Sequence, residues 1–196
     1  MNTQYSGNEK LIFEGIPTEY TIRDFWAWNY SNLLNNTLRG FFSEFIVATA
    51  LGADVSGVND DWTEYDLLLK WEPEVRVEVK SSAYIQAWET NKPSNISFSI
   101  KSAYDWDPVT GYGNVQERHS DVYVFCLYTE MDRTKADPLK LDCWEFYVLS
   151  TKLLNERCPN QKTLTLNSLI NLEPIKTDYS GLLAAVKQSV THLQRL

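Results

Sequence analysis

Apolar residues recur at helical spacing in two consecutive segments near the amino terminus. Residues 21–35 place aromatic and aliphatic side chains three and four positions apart, and Thr21 is a candidate N-cap with Asp24 as its capping-box partner. A stronger pattern covers about residues 37–51, and Gly52 supplies a residue that readily takes the left-handed conformation at a helix end. These patterns predict two consecutive helices.

Short apolar or alternating runs predict five strands after the second helix. Residues 75–84, VRVEVKSSAY, alternate apolar and charged side chains, which is typical of a strand with one buried face. The preceding run is separated from it by the turn Glu-Pro-Glu, so the two strands are expected to form a hairpin. The predicted strands are residues 65–71, 75–84, 95–100, 121–128 and 143–150. The fourth is almost entirely apolar, which indicates that both of its faces are covered.

Helices are also predicted on the carboxyl-terminal side of the strands. A short one covers residues 151–158, and an amphipathic one covers about 180–194. Residues 105–120 are rich in turn formers and are expected to separate the third strand from the fourth. This order of elements predicts a mixed α/β fold with a central β-sheet flanked by helices. We expect a single domain over residues 1–196, with its core at about 37–150.

Composition and charge narrow the setting of this domain. With 196 residues and 43% apolar side chains, the chain can bury one core and roughly 70% of its unfolded surface. The polar start, MNTQYSGNEK, does not fit a signal peptide, and no segment approaches the roughly 20 apolar residues that span a bilayer. We therefore expect a cytoplasmic protein without a membrane anchor. The net charge of −8 disfavours a broad surface for nucleic acid, although a local basic patch or a metal site can still hold a phosphate.

Glu44 lies in the second predicted helix among apolar neighbours. Phe41, Phe45 and Ala48 share its helix face, and a helix that is apolar almost all round is expected to be buried. A buried carboxylate is costly unless it is paired, hydrogen-bonded or bound to a metal. Glu44 therefore needs a partner, which is either a structural ion pair or part of a functional site.

Asp66, Glu78 and Lys80 form a second group of candidates. Asp66 opens an apolar strand, and pairing about the hairpin turn would bring it close to Glu78. Two neighbouring carboxylates repel each other unless they share a proton or a cation, and an all-oxygen pair suits Mg²⁺ better than zinc. Glu78-x-Lys80 is also the only (D/E)-x-K triplet in the sequence. The solvated face of a half-buried strand is the alternative explanation for these two charges.

Three segments carry these candidates in order: RGFFSEFIVATALG, YDLLL and VRVEVKSS. In order and spacing they resemble the helix with its Glu, the strand with its Asp and the strand with its Glu-x-Lys in the PD-(D/E)xK nuclease superfamily. The resemblance covers roughly residues 37–100, and the residue before Asp66 is Tyr65 where the superfamily motif has Pro. It implies the restriction-endonuclease-like fold and a metal-dependent hydrolysis of phosphodiester bonds.

The resemblance also implies a role for each candidate residue. Asp66 and Glu78 would ligate Mg²⁺, with the backbone carbonyl of Val79 as a further oxygen ligand. Glu44 would complete the shell directly or through water, and Mn²⁺ is expected to substitute for Mg²⁺. Lys80 would orient the attacking water or stabilise the negative charge that develops on the phosphoryl group.

Three further side chains are candidates because of their positions. Gln86 shares strand parity with Glu78 and Lys80, and several branches of the superfamily keep a Gln shortly after the Lys, so Gln86 is a candidate catalytic residue. Arg118 and His119 precede a strand that is expected beside the site. They are either contacts to DNA phosphate or structural side chains.

The favoured interpretation is a Mg²⁺-dependent nuclease that acts on DNA, single- or double-stranded. The acidic net charge keeps a second interpretation open, namely a catalytically silent, nuclease-like binding or regulatory module, such as a nucleic-acid mimic or a partner subunit. A third interpretation is an enzyme that works with a partner subunit or as a homodimer. An exposed aromatic patch would be the sign of the third.

Overall fold

A computed structural model describes residues 4–59, 63–88, 92–107 and 111–191 of the chain. The helices are α1 (Ile22–Tyr30), α2 (Asn36–Leu51), α3 (Thr151–Arg157), α4 (Leu166–Ile170) and α5 (Leu182–Ser189). The strands are β1 (Lys10–Phe13), β2 (Ile16–Thr21), β3 (Leu67–Leu69), β4 (Val75–Ala83), β5 (Ser97–Ser99), β6 (Ala103–Asp107), β7 (Gly111–Glu117), β8 (Val122–Tyr128), β9 (Trp144–Ser150), β10 (Thr163–Thr165) and β11 (Ile175–Thr177).

The centre of the molecule is a five-stranded sheet in the order β11-β9-β8-β4-β3. Strands β4 and β8 run parallel, and the other neighbouring pairs are antiparallel, so the sheet is mixed. All seven residues of β8 are buried because this strand lies in the middle of the sheet and both of its faces are covered. The predicted α/β class, a central mixed sheet flanked by helices, is confirmed.

The two faces of the sheet pack against different elements. On one face, Val124 of β8 belongs to a cluster with Val47 of α2 and Val186 of α5. On the other face, Phe125 packs with Phe98 of β5 and with residues of α3, β10 and α4. Successive residues of β8 therefore point into separate cores, as the two-residue period of a strand requires.

The helix ends follow the capping residues that the sequence indicates. Thr21 and Asp24 form the predicted capping box of α1, and Gly52 ends α2 in the left-handed conformation at φ 69°. Helix α1 stops at Tyr30, earlier than predicted, and residues 31–34 connect it to Asn35, the N-cap of α2. Helix α5 ends at Ser189, before the predicted 194, and residues 192–196 lie outside the described part of the chain. No helix in the described ranges is long and apolar enough to cross a membrane.

Helix α2 is not buried all round, contrary to the sequence-based prediction. It packs one face against the sheet, with Ile46 and Val47 in the core, and leaves Phe41 and Phe45 exposed. Glu44 is only half-buried as a result. Helical periodicity alone did not indicate which apolar residues of this helix would face solvent.

Several strand assignments differ from the predicted pattern, among them the unpredicted β10 and β11, of which β11 lies in the central sheet. The turn-rich region 105–120 contains much of the β6–β7 hairpin, whose residues 108–110 lie outside the described part of the chain. The predicted third strand, β5, pairs with β10 in a separate two-stranded sheet. An additional hairpin, β1–β2, precedes α1, and its turn residues Glu14 and Gly15 both have positive φ, as a type I′ turn requires.

Arg118 is a structural residue at the junction of β5 with the segment after α3. Its guanidinium donates to the carbonyl oxygen of Ile100 at 2.8 Å, to Asn155 Oδ1 at 2.6 Å, and to the carbonyl oxygens of Cys158 at 2.9 Å and Gln161 at 3.2 Å. Because the side chain is buried and its donors are engaged, it is not placed to contact DNA phosphate, in contrast to the candidate role from sequence.

Replacing this arginine should destabilise the fold. Arg118→Ala would remove the guanidinium donor from the buried carbonyl oxygen of Ile100 and from three further acceptors in one step, so we expect the free energy of unfolding to fall by about 3 kcal/mol in urea denaturation. The matched control is Arg157→Ala, which removes the same group from the exposed end of α3 and should cost less than about 1 kcal/mol. Equal stability of the two variants would contradict the structural role.

Candidate active site

The pairing of β3 with β4 places the three charged candidates together. The register joins Leu67 to Val77, which confirms the predicted hairpin. Asp66, one residue before β3, donates its backbone N–H to the carbonyl oxygen of Val77 at 3.1 Å. Asp66 therefore sits at the end of an edge strand, beside the part of β4 that carries Glu78 and Lys80.

The ammonium of Lys80 lies between two carboxylates. Its Nζ is 2.5 Å from Glu78 Oε1 and 3.6 Å from Asp66 Oδ2, and about a quarter or less of each side chain is exposed. Asp66 Oδ2 also accepts a hydrogen bond of 2.6 Å from the backbone N–H of Val79. These contacts fix the Asp66 carboxylate and the Lys80 ammonium relative to the backbone of β4.

The charges in this group influence one another strongly. Burial raises the pKa of Glu78, and the negative charge of Asp66 acts in the same direction, whereas Lys80 opposes both. Burial disfavours the ammonium of Lys80, but the attraction of Glu78 and Asp66 outweighs it and raises the pKa of the lysine. Lys80 is therefore positively charged throughout the physiological pH range.

The carbonyl group of Val79 points toward the same edge as Asp66. In a β-strand the N–H and C=O of one residue point to the same side, and the N–H of Val79 is directed at the Asp66 carboxylate. Strand β3 begins only at Leu67, which pairs with Val77, so the Val79 carbonyl lies beyond the paired part of this edge. The backbone thus adds a third oxygen atom to the side of β4 that Asp66 occupies.

Glu44 shares a cleft with Asp66. The cleft has a volume of about 820 Å³ and lies between the second half of α2, the loop after it, and the edge strand as far as Trp71. Asn59 of that loop donates to Glu44 Oε2 at 3.4 Å. The structure therefore brings Asp66, Glu78 and Lys80 into direct contact and puts Glu44 on the wall of a cleft that Asp66 also lines.

The candidate site offers only a few oxygen atoms that could hold a metal ion. Within residues 4–59, 63–88, 92–107 and 111–191, no group of three or more His, Cys, Asp and Glu side chains is gathered closely enough to hold an ion. Mg²⁺ commonly takes only one or two protein carboxylates and fills its remaining positions with water and substrate phosphate. Asp66, Glu78 and the carbonyl of Val79 fit that pattern in number and in chemistry.

Gln86 lies in a different cluster, around the buried Arg39. Its Oε1 accepts from Arg39 Nη1 at 3.3 Å, while its Nε2 donates to the Ala83 carbonyl oxygen at 3.1 Å and to Ser94 Oγ at 3.2 Å. Strand β4 ends at Ala83, so strand parity no longer determines where Gln86 points. None of these hydrogen bonds of the Gln86 amide joins it to Lys80 or Glu78, so they do not support the predicted catalytic role.

Arg39 is the residue of this region that the sequence analysis missed. Its guanidinium also donates to Ser81 Oγ at 3.1 Å, which links α2 to β4, and burial lowers its pKa to about 10. The signal was present in the sequence, because Arg39 falls at helical spacing with Ser43 and Ile46 on the face of α2 that packs on the sheet. An arginine on such a face needs a set of hydrogen-bond acceptors.

His119 and Arg76 lie close to the residues that immediately precede Asp66. The Nε2 atom of His119 is 3.1 Å from the carbonyl oxygen of Ala103, and its Nδ1 is 3.7 Å from Glu117 Oε1 and 3.9 Å from Glu64 Oε2. Arg76, on the same strand face as Glu78, places its guanidinium 5.8 Å from the ring centroid of Tyr65. His119 thus contacts protein groups, and Arg76 holds a cation close to the residue that precedes Asp66.

No match is found among curated proteins. Among solved structures, that of the bacterial homing endonuclease I-Ssp6803I is similar to the chain, with 21% sequence identity, a TM-score of 0.36, and coverage of 66% of this chain and 76% of that chain. The family model for bacteriophage T4 endonuclease IV matches residues 18–168, well over half of the chain and including all the candidate site residues. The chain therefore belongs to the bacteriophage T4 endonuclease IV family.

Proposed function

We propose that this protein is a Mg²⁺-dependent nuclease that hydrolyses phosphodiester bonds in DNA with a PD-(D/E)xK-type site. The observation that carries the proposal is the convergence of Asp66, Glu78 and Lys80 at the β3–β4 edge, with Lys80 Nζ 2.5 Å from Glu78 and 3.6 Å from Asp66. Membership in an endonuclease family supports the same reaction class.

The oxygen atoms of the site fit a magnesium ion. Asp66, Glu78 and the carbonyl of Val79 would hold it, with Glu44 as a further ligand directly or through water. Hard oxygen donors are the ligands that Mg²⁺ prefers, and Mn²⁺ accepts the same set. When bound, the ion would lower the pKa of a coordinated water and neutralise charge on the phosphoryl oxygens.

The protein's own residues would prepare the site in two ways. The N–H of Val79 holds one oxygen of Asp66, so the other oxygen is oriented before any substrate arrives. Lys80, protonated because the two carboxylates raise its pKa, would place a compact positive charge where negative charge develops on the phosphate. Glu78 holds that ammonium in position.

The alternative function is a silent, nuclease-like module that binds a partner without catalysis. The net charge of −8 favours it, because a surface with this charge repels the DNA backbone. In such a module the Asp66, Glu78 and Lys80 contacts would form a structural ion-pair cluster at the sheet edge. Metal binding and cleavage distinguish the two functions.

DNA cleavage should depend on Lys80. We expect Lys80→Ala to slow Mg²⁺-dependent cleavage by about 100- to 1,000-fold, the usual effect of removing one group that stabilises transition-state charge. The matched control is Lys152→Ala, which removes an exposed lysine of α3 and should leave the rate unchanged. Identical trace activity in wild type, Lys80→Ala and Lys152→Ala would point to a contaminating nuclease and refute the proposal.

Magnesium binding should depend on the charge of Asp66. Asp66→Asn keeps an acceptor for the Val79 N–H but removes one negative charge, so the fold should persist while the affinity for Mg²⁺ or Mn²⁺ falls at least about tenfold. Isothermal titration calorimetry of wild type and variant measures this difference. Absence of binding to wild type, or equal binding to the two proteins, would favour the silent module.

A further inference from the structure

Residues 5–30 form a unit that is largely separate from the core. We call residues 5–30 the amino-terminal arm; it consists of the β1–β2 hairpin and α1. Its elements contact one another, and in the described part of the chain none of them packs extensively on the central sheet or on its helices. Internal hydrogen bonds join its parts, including one from the N–H of Ile22 to the Glu9 carbonyl oxygen at 2.9 Å.

The arm exposes large apolar side chains on all of its elements. Exposure reaches 83% for Trp28, 70% for Ile16, 69% for Phe13 and 68% for Ile12. No residue of α1 is buried, although the helix contains Phe25, Trp26, Trp28 and Tyr30. Soluble monomers rarely leave an apolar surface of this extent uncovered, so the arm has the character of an interface.

Elements of this size are unstable when they stand alone in water. An isolated two-stranded hairpin is marginal, and a nine-residue helix is below the length at which helices persist by themselves. Each strand of the hairpin also pairs with only one neighbour in the described structure, which leaves an open edge on both sides. Open edges are templates for pairing with another chain. The arm therefore needs a further surface to pack against.

The exposed area of the arm matches what a stable dimer buries. Aromatic side chains bury about 150–250 Å² each, so the arm's exposed apolar residues present on the order of 1,000 Å². The residues are Leu11, Ile12, Phe13, Ile16, Tyr20, Phe25, Trp26, Trp28 and Tyr30. A stable protein interface buries about 800 Å² on each partner.

The charge of the arm disfavours nucleic acid as its partner. Residues 5–30 contain two basic side chains, Lys10 and Arg23, and four acidic ones, Glu9, Glu14, Glu19 and Asp24. Phosphate binding depends on basic residues that displace counterions, and an arm with an excess of acid cannot supply them. Its exposed aromatic rings therefore fit a protein surface better than a DNA strand.

We infer that the amino-terminal arm is a self-association surface, through which two copies of the chain form a dimer. A second copy presents the same apolar area and the same open strand edges, and a two-fold axis sets each apolar face against its equivalent. The charge distribution of the arm leaves its apolar residues as the main source of affinity. Dimer formation does not depend on nuclease activity, so it can fail or succeed independently of the proposed reaction.

The molar mass in solution tests this inference. Size-exclusion chromatography with light scattering should give the full-length protein a mass near twice the 22.7 kDa of the chain. The double variant Ile12→Ser, Trp28→Ser should have the mass of a single chain, while the central sheet stays folded, as slow hydrogen exchange of the β8 amides would show, because neither side chain is in the core. The matched control is Leu139→Ser, which removes an apolar residue with 67% exposure outside the arm and should remain a dimer.

Hydrogen exchange provides a second readout that does not require a variant. The amides of residues 10–30 should become more protected as the protein concentration rises, whereas those of β8 should not change. A wild-type protein of single-chain mass, or a double variant that still dimerises, overturns the inference. If the wild type is monomeric and binds DNA, and the double variant does not bind DNA, the arm is a DNA-binding surface and the inference is also overturned.

Discussion

The candidate site depends on one contact, the hydrogen bond from the N–H of Val79 to the Asp66 carboxylate at 2.6 Å. This bond continues the β3–β4 pairing by one step past the end of the edge strand and fixes an acidic side chain against the neighbouring backbone. The alternation of β4 then places Glu78 and Lys80 beside it, and β4 is held between the edge strand β3 and its parallel neighbour β8, the fully buried middle strand of the sheet. A rigid sheet thus supports three charges at its edge.

The same arrangement explains why a buried charge cluster is tolerated here. Each of the three side chains is only partly exposed, and isolation of any one of them would be costly. Burial raises the pKa of Glu78, and the charge of Asp66 acts in the same direction. Two carboxylates around one ammonium leave an excess negative charge, which would favour the proposed cation. The stability of the edge and the proposed metal chemistry therefore rest on the same electrostatic balance.

The sequence predicted those features that depend on local pattern. The apolar run of β8, the capping box at Thr21 and the end of α2 at Gly52 were each readable, and so was the β3–β4 hairpin that joins Asp66 to Lys80. Features that depend on tertiary packing were not. The uncovered face of α2 and the direction of Gln86 after the end of β4 are set by neighbours that no periodicity reveals. The arm's hairpin, with its two-residue turn at Glu14 and Gly15, was not predicted, and neither was its exposure.

The central claim is that the edge of β4 holds a divalent cation. A crystal of the protein grown with Mn²⁺ and measured for anomalous scattering tests it directly. The account predicts a peak about 2.1 Å from a carboxylate oxygen of Asp66 and of Glu78, with the carbonyl oxygen of Val79 as a third ligand, and loss of that peak in Asp66→Asn. The claim would be contradicted if wild-type crystals grown with Mn²⁺ showed ordered Asp66 and Glu78 side chains but no anomalous peak beside them. An ion bound only elsewhere on the chain would contradict it as well.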